Sequence, residues 1–252
     1  EEGETRTEED VLEGLVRTMR KYADGLVMVS MSSVDSDRVH TVYRACEETG
    51  RQLVISMKPA ATLARLADLN VKNFPDLSKI SVYDPYGEEG GPRGWRKEFL
   101  MGVRHREKGS EEARYGSLYG GAVTTEEILE RKKDLALLTS FGSIEELREF
   151  YRKGGSGCLR GGIFVFSTSE PMSEELEMRY ERLESWILEV GMPYCRIHCS
   201  GHCYFPELKE LVEEISPAYF IPIHCEKPEL AKKLMGYEKT LILKPGVPTE
   251  LP

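Results

Sequence analysis

Short apolar segments alternate with amphipathic ones along this chain. Residues 26–30 form the clearest apolar segment, and such a run is typical of a strand buried on both faces of a parallel sheet. Residues 7–23 carry Leu12, Leu15, Val16 and Met19 at helical spacing. The alternation of the two patterns predicts an α/β fold in which helices cover a parallel sheet.

The same patterns give bounds for the remaining elements. The predicted strands are 26–30, 52–56, 79–83, 135–139, 163–167, 194–198, 218–223 and 239–243. The predicted helices are 7–23, 34–49, 59–67, 173–190, 206–215 and 228–235. Thr124 with Glu127, and Ser143 with Glu146, have the spacing of capping boxes and predict two more helix starts. The glycine-rich segment 154–162 is the best linker candidate and divides the chain into domains 1–158 and 159–252.

Charge and cysteine content narrow the classes of function. The 252 residues carry 43 acids and 34 bases, a net charge of −9, which argues against a general nucleic-acid coat but permits a local basic track. No apolar run reaches the length of a membrane span. Six cysteines in 252 residues lack the dense spacing of a small secreted scaffold, which indicates free thiols in a reducing, cytoplasmic compartment. The chain begins with Glu rather than Met, and we expect that a longer protein precedes it.

Three histidines fall near the ends of predicted strands. His198 ends the strand 194–198 and His202 follows it, and His224 follows the strand 218–223. Because the carboxyl ends of parallel strands share one rim, the spacing predicts a common site there. Separately satisfied polar residues are the alternative. Together with the histidines, Cys195, Cys199 and Cys203 suggest a structural zinc site, but their C-x3-C-x3-C spacing differs from the C-x2-C of a zinc knuckle, which favours core packing.

Hydroxyl-rich turns also follow two predicted strands. Ser30, Ser32 and Ser33 precede the helix that carries Arg38, and Ser167 and Ser169 precede the helix 173–190. Free backbone amides and hydroxyls at a helix start bind anions, so these turns are candidates for phosphate contacts. A simple serine N-cap is the alternative.

With these residues collected, the sequence resembles the β-CASP branch of the metallo-β-lactamase superfamily, which includes RNase J and the mRNA 3′-end processing endonuclease. His198-Cys199-Ser200-Gly201-His202 resembles the family's H-x-S-G-H element, and residues 217–224 resemble its P-x-x-x-I-P-x-H element. Residues 34–39 and 49–51 are similar to the opening of the β-CASP cap. Cys225 stands where the family usually has glycine.

The resemblance implies both an architecture and a gap. The family's H-x-H-x-D-H motif, which supplies most metal ligands, does not occur in this sequence. Family order puts that motif before the cap. We therefore expect a parallel-sheet β-CASP cap at 1–158 and the returning C-terminal half of a metallo-β-lactamase αββα lobe at 159–252. A natural non-catalytic paralogue is the alternative.

The resemblance also implies roles for individual residues. His202 would stand beside the scissile phosphate and assist leaving-group protonation or phosphate binding, and His224 would be a zinc ligand. His198 would support these residues without contacting the metal or the substrate. Glu170 and the serine-rich turns, with Arg38, would hold the backbone of single-stranded RNA. The intact parent would bind two zinc ions, and this chain one or none, so we expect it to be inactive alone.

Two other functions remain open at this stage. One is a non-catalytic module that binds RNA or a second copy of itself as a homodimer. The other is a metallohydrolase for a small substrate, which the large cap argues against. Whether the chain is part of a nuclease or a non-catalytic RNA-binding module, RNA is the expected partner and a membrane is not.

Overall fold

A computed structural model describes residues 5–32, 34–69, 71, 74–87, 91–106, 109–140, 143–169, 173–223 and 225–249. The chain forms two compact units. One is Arg6–Cys199, and the smaller one combines Glu1–Thr5 with Ser200–Pro252. Within the described residues, no helix is both long and apolar enough to cross a membrane.

The larger unit is built on a sheet of seven strands within the described part of the chain, and every pairing is parallel. Their spatial order is β4-β3-β2-β5-β1-β6-β7. This architecture confirms the α/β fold class. The strands are β1 Val27–Met31, β2 Gln52–Ile55, β3 Ser81–Asp84, β4 Gly121–Thr124, β5 Leu135–Ser140, β6 Ile163–Phe166 and β7 Tyr194–Arg196.

Helices cover both faces of this sheet. They are α1 Glu8–Lys21, α2 Ser36–Thr49, α3 Met57–Leu66, α4 Trp95–His105, α5 Glu111–Gly116, α6 Thr125–Glu130, α7 Glu145–Gly154 and α8 Glu174–Glu189. Apolar side chains of α1 to α5 join one buried cluster, and those of α6 to α8 join a second. Strand β1 sends Val27 and Val29 into the first and Met28 into the second, which explains its continuous apolar run.

The strand order creates a crevice at the carboxyl ends of β1 and β6. From β1 the chain continues through α2 toward β2, whereas from the adjacent β6 it continues through α8 toward β7 on the opposite side. Since α2 and α8 pack on opposite faces, the two connections diverge at this point. Ligand sites of parallel α/β sheets occur at such points of divergence.

The glycine-rich segment 154–162 is an ordered part of the larger unit. The backbone N–H of Gly157 donates to the carbonyl of Glu189 at 2.9 Å, and that of Leu159 to the carbonyl of Val190 at 2.8 Å. The structure divides its compact units near Cys199 instead. The assignment of 1–158 and 159–252 to two domains of the β-CASP architecture stays a prediction.

The predicted elements match the larger unit except in its middle. The capping box at Thr124 and Glu127 is confirmed. The one at Ser143 is wrong, because α7 has Ile144 at its N-cap and the Ser143 hydroxyl bonds the Glu146 side chain instead. Helices α4 and α5 and strand β4 were not predicted.

The smaller unit contains helices α9 Phe205–Ile215 and α10 Pro228–Met235, as expected. The predicted strands 218–223 and 239–243 are wrong as strands, since they share only one parallel bridge, between Phe220 and Thr240. Pro222 has no N–H to extend a ladder. Strand β7 is an edge of the described sheet, with β6 as its pairing partner there.

Two glycines set the contact between α4 and α5. A Cβ atom on Gly102 would lie 2.0 Å from the carbonyl oxygen of Ala113, and one on Gly116 would lie 2.0 Å from that of Phe99. Only glycine permits this backbone approach.

We predict that Gly102→Ala lowers the free energy of unfolding by about 1–3 kcal/mol through overpacking. The sign of this change tests the contact, because without overpacking the higher helix propensity of alanine would stabilise α4 by about 1 kcal/mol. Urea unfolding measures the change. Gly91→Ala is the control, since nothing lies within 4 Å of a Cβ there. A stabilised Gly102→Ala variant would contradict this helix contact.

Candidate functional site

Three polar side chains emerge at the carboxyl rim beside the β1–β6 crevice. Ser32 follows β1, Ser169 follows β6, and His198 follows β7. Ser32 and Ser169 are exposed and His198 is half-buried. The Ser169 hydroxyl lies 3.2 Å from Nε2 of His198. The Ser167–Ser169 turn therefore lies at the same rim as the end of β7.

Beneath these side chains, Arg38 is buried with 1% of its surface exposed. Its guanidinium uses all five N–H donors. Nε and Nη2 both donate to the Glu8 carboxylate at 2.6–3.0 Å, and Nη2 also donates to Cys199 Sγ at 3.0 Å. Nη1 donates to Ser167 Oγ at 2.7 Å and lies 3.1 Å from His198 Nδ1.

The Glu8–Arg38 pair is an ion pair in which each partner stabilises the charge of the other. Burial alone would raise the pKa of Glu8, but hydrogen bonds from Arg38 and Thr41 and the Arg38 charge outweigh it, so this pKa lies below its ordinary value. Burial likewise opposes the charge of Arg38, yet Glu8 raises the Arg38 pKa overall. Both groups are charged at neutral pH.

His198 and Cys199 are neutral in this environment. Burial, and then the positive charges of Arg38 and Arg196, lower the pKa of the His198 imidazole. Burial and the hydrogen bond to Glu8 raise the pKa of the Cys199 thiol. The thiol donates to Glu8 Oε1 at 3.2 Å, so Cys199 contributes to the buried network and does not act as a thiolate.

Arg196 of β7 is a cation at this rim that sequence reasoning missed. Its Nη1 donates to the carbonyl of Thr168 at 2.8 Å, and its guanidinium lies 5.9 Å from the ring centroid of Phe166 and 5.8 Å from that of Tyr180. It is exposed. The sequence offered one signal, a basic residue two positions before His198 in an otherwise apolar strand.

The structure separates the predicted phosphate contacts into two layers. Ser32 and Ser169 are exposed, whereas Ser30, Ser167 and Arg38 are buried. Ser30 Oγ donates to the carbonyl of Ser140 at 3.4 Å, and Ser167 Oγ to that of Ile197 at 2.8 Å. Ser33, Glu170 and His224 lie outside the described residues.

Neither Arg38 nor the start of α2 is arranged for a phosphate. Arg38 has no N–H left for one, so it supports the rim rather than reaching a ligand. The N-cap of α2 is Asp35, whose carboxylate accepts the Arg38 backbone N–H at 3.0 Å, and Asp37 adds a second acid in the first turn. Carboxylates at a helix start occupy the place of an anion.

His202 belongs to the smaller unit. Its side chain is exposed, and its backbone N–H donates to Ser200 Oγ at 3.1 Å. The catalytic role of His202 and the zinc ligation by His224 stay predictions.

The described residues do not fit a zinc ion. A zinc site needs three or four close N, S or O donors, and no group of three or more His, Cys, Asp or Glu residues in the described ranges is arranged to hold a metal. Glu8, His198 and Cys199 do converge, but on the Arg38 guanidinium. A cation already occupies the position that a metal would need.

A cavity of about 860 Å³ lies farther along the same rim, beside the ends of β2, β3 and β5. Its lining includes Ser56, Tyr83, Glu146 and Arg152, and none of the site residues predicted from the sequence. We place the candidate site at the β1–β6 crevice, because the histidine and the hydroxyl turns meet there.

Residues 194–240 match a family model, RMMBL, described as the Zn-dependent metallo-hydrolase RNA specificity domain. The match starts at β7 and includes Arg196, His198 and His202. It supports the metallo-β-lactamase/β-CASP superfamily and a zinc-dependent metallo-hydrolase with RNA specificity. A search of curated proteins found no match to the chain.

Glu8→Gln should destabilise the protein near neutral pH by about 2 kcal/mol, because it leaves the buried Arg38 without its counterion. The pKa of Glu8 is depressed below 4.5, so this stabilisation is present above that pH and is lost as the pH falls through the folded-state value. Urea unfolding of wild type and variant should therefore converge at acidic pH.

Glu9→Gln provides the matched control, since Glu9 pairs with Arg44 across the same two helices at 3.1 Å but both side chains are exposed. That change should cost less than about 1 kcal/mol. Equal losses in the two variants would contradict the role of Glu8 as the counterion of the buried Arg38.

Proposed function

We propose that this chain is the RNA-binding part of a zinc-dependent nuclease, with a β-CASP-type cap and the returning part of a metallo-β-lactamase lobe. The observation that carries the proposal is the position of Ser169, Arg196 and His198 at one rim. Arg196 and His198 lie within the segment that matches the RNA specificity domain.

The chemistry of this rim suits a single-stranded RNA backbone. An exposed guanidinium supplies a positive charge, and a serine hydroxyl and an imidazole supply hydrogen bonds to phosphate oxygens. The net charge of −9 makes the rest of the surface unattractive to RNA, which confines binding to local cations. Ser32, across the crevice, would extend the same track.

Hydrolysis in the intact parent is part of the proposal, with zinc as the family's metal. His224 is the proposed ligand and His202 the residue beside the scissile phosphate. Because the described residues do not form a zinc site, we assign no catalytic step to them. The alternative function is a non-catalytic module that binds RNA or a second copy of the chain.

Arg196→Gln should weaken single-stranded RNA binding by a similar factor for different sequences and reduce the slope of log affinity against log salt by about one. The reason is the loss of one phosphate-neutralising charge. Fluorescence anisotropy with labelled oligoribonucleotides at several salt concentrations measures both quantities. Arg196→Lys keeps the charge and should retain most of the slope.

Arg131→Gln is the matched control. Arg131 is also an exposed arginine, but it precedes β5 and so lies at the amino rim, with Nη2 3.2 Å from Gln52 Oε1. It should not alter RNA binding. Equal loss in both variants, or a loss confined to one RNA sequence, would contradict a phosphate contact at Arg196.

The chain should bind RNA without cleaving it, whether or not Zn²⁺ is added, because it lacks H-x-H-x-D-H. Gel analysis of labelled RNA incubated with the purified chain tests this expectation, with a chelator as the reference. Cleavage that requires Zn²⁺ and disappears in His202→Ala would contradict it.

A further inference from the structure

A continuous hydrogen-bonded path runs from helix α1 to the surface of the rim. It passes from the Glu8 carboxylate to the Arg38 guanidinium, from Arg38 Nη1 to His198 Nδ1 at 3.1 Å, and from His198 Nε2 to Ser169 Oγ at 3.2 Å. Glu8 and His198 are 190 residues apart in sequence, and Arg38 is the only residue of this path that contacts both.

The donors and acceptors along this path determine where the imidazole proton lies. A guanidinium has donors and no acceptor, so Nδ1 of His198 must accept the hydrogen bond with its lone pair. A neutral imidazole carries its single proton on the other nitrogen, which here is Nε2. Nε2–H faces the exposed Ser169 hydroxyl.

We propose that Glu8 and Arg38 are positioning residues that hold His198 as the Nε2–H tautomer. The Nε2–H, which donates to Ser169 Oγ in the free chain, is thereby directed at the rim, where it donates to a phosphate oxygen in place of Ser169 when RNA binds. Glu8 fixes the orientation of the Arg38 guanidinium, and Arg38 fixes the orientation of the imidazole and places its proton on Nε2. The fixed tautomer follows from the contacts alone, whereas its use toward phosphate rests on the proposed RNA binding.

The surroundings of His198 reinforce this arrangement. Arg38 and Arg196 are the positive charges that face it, and Asp35 and Glu8 are the negative ones. Burial and the two arginines favour the neutral ring over the imidazolium. The neutral ring carries a single N–H, so the position and direction of its one donor are set by the protein.

Nitrogen NMR of the ¹⁵N-histidine-labelled chain tests the tautomer directly. Near neutral pH, His198 should show an unprotonated Nδ1 and a protonated Nε2, with this form in excess by about tenfold, as one charge-assisted hydrogen bond supplies. His198→Gln identifies the signals. In Arg38→Met the excess should fall several-fold, and in Arg38→Lys it should be partly restored.

Glu8→Gln keeps the test decisive if Arg38→Met fails to fold, as circular dichroism would reveal. It leaves Arg38 charged but without its carboxylate partner, so the tautomer excess should also fall. Arg44→Met, which breaks only the exposed Glu9–Arg44 pair of the same helices, should leave the His198 signals unchanged. A protonated Nδ1 in wild type, or an unchanged excess in the folded Glu8 and Arg38 variants, would overturn the proposal.

Titration of the labelled chain with a single-stranded oligoribonucleotide separates this proposal from the proposed function. Addition of the RNA should shift the His198 Nε2–H resonance in wild type, and Glu8→Gln should weaken RNA binding several-fold while Glu9→Gln does not. RNA binding that leaves the Nε2–H resonance unmoved would overturn the positioning role and leave RNA binding intact. Failure of wild type to bind RNA would overturn the use toward phosphate.

Discussion

The guanidinium of Arg38 is the contact on which the candidate site depends. It lies beneath the rim with every N–H donated, to Glu8 of α1, Ser167 after β6, and His198 and Cys199 after β7. A buried charge without its partners is costly, so these segments are held in one arrangement. This buried hydrogen-bond network therefore sets the positions of the exposed side chains at the rim.

The parallel sheet explains why the polar network forms at this place. Its central strands are buried on both faces and are mostly apolar, so the charged side chains lie beyond the strand ends. The strand order then makes the chain diverge between β1 and β6, where α2 and α8 leave toward opposite faces. The crevice is thus a result of topology, and its chemistry comes from the residues that follow β1, β6 and β7.

Much of this architecture was predictable from local patterns. Apolar runs predicted six of the seven described strands, because a buried parallel strand is apolar throughout. Strand β4 was missed. Helices α4 and α5 were also missed, because the close approach of Gly102 and Gly116 depends on contacts between the two helices rather than on the periodicity of either. The residues 218–223 were apolar enough for a strand, but Pro222 and a single bridging partner prevent one.

Some residues of the candidate site were likewise predictable from the sequence, and others were not. His198 and Ser169 were predictable because both follow strands of one parallel sheet. The role of Glu8 was not, because it is one of three acids in the first turn of α1 and nothing local distinguishes it. Arg38 was recognised as a cation near the rim, but only tertiary packing reveals that its charge is consumed within the protein.

Photo-crosslinking of a single-stranded RNA that contains 4-thiouridine, followed by peptide mapping, tests the location of the interface most directly. Crosslinks are expected in the segments that follow β1, β6 and β7, around Ser32, Ser169 and His198. Crosslinks concentrated at the amino rim, around Ser156 and Arg131, or in the cavity beside Ser56 and Tyr83 would contradict this location.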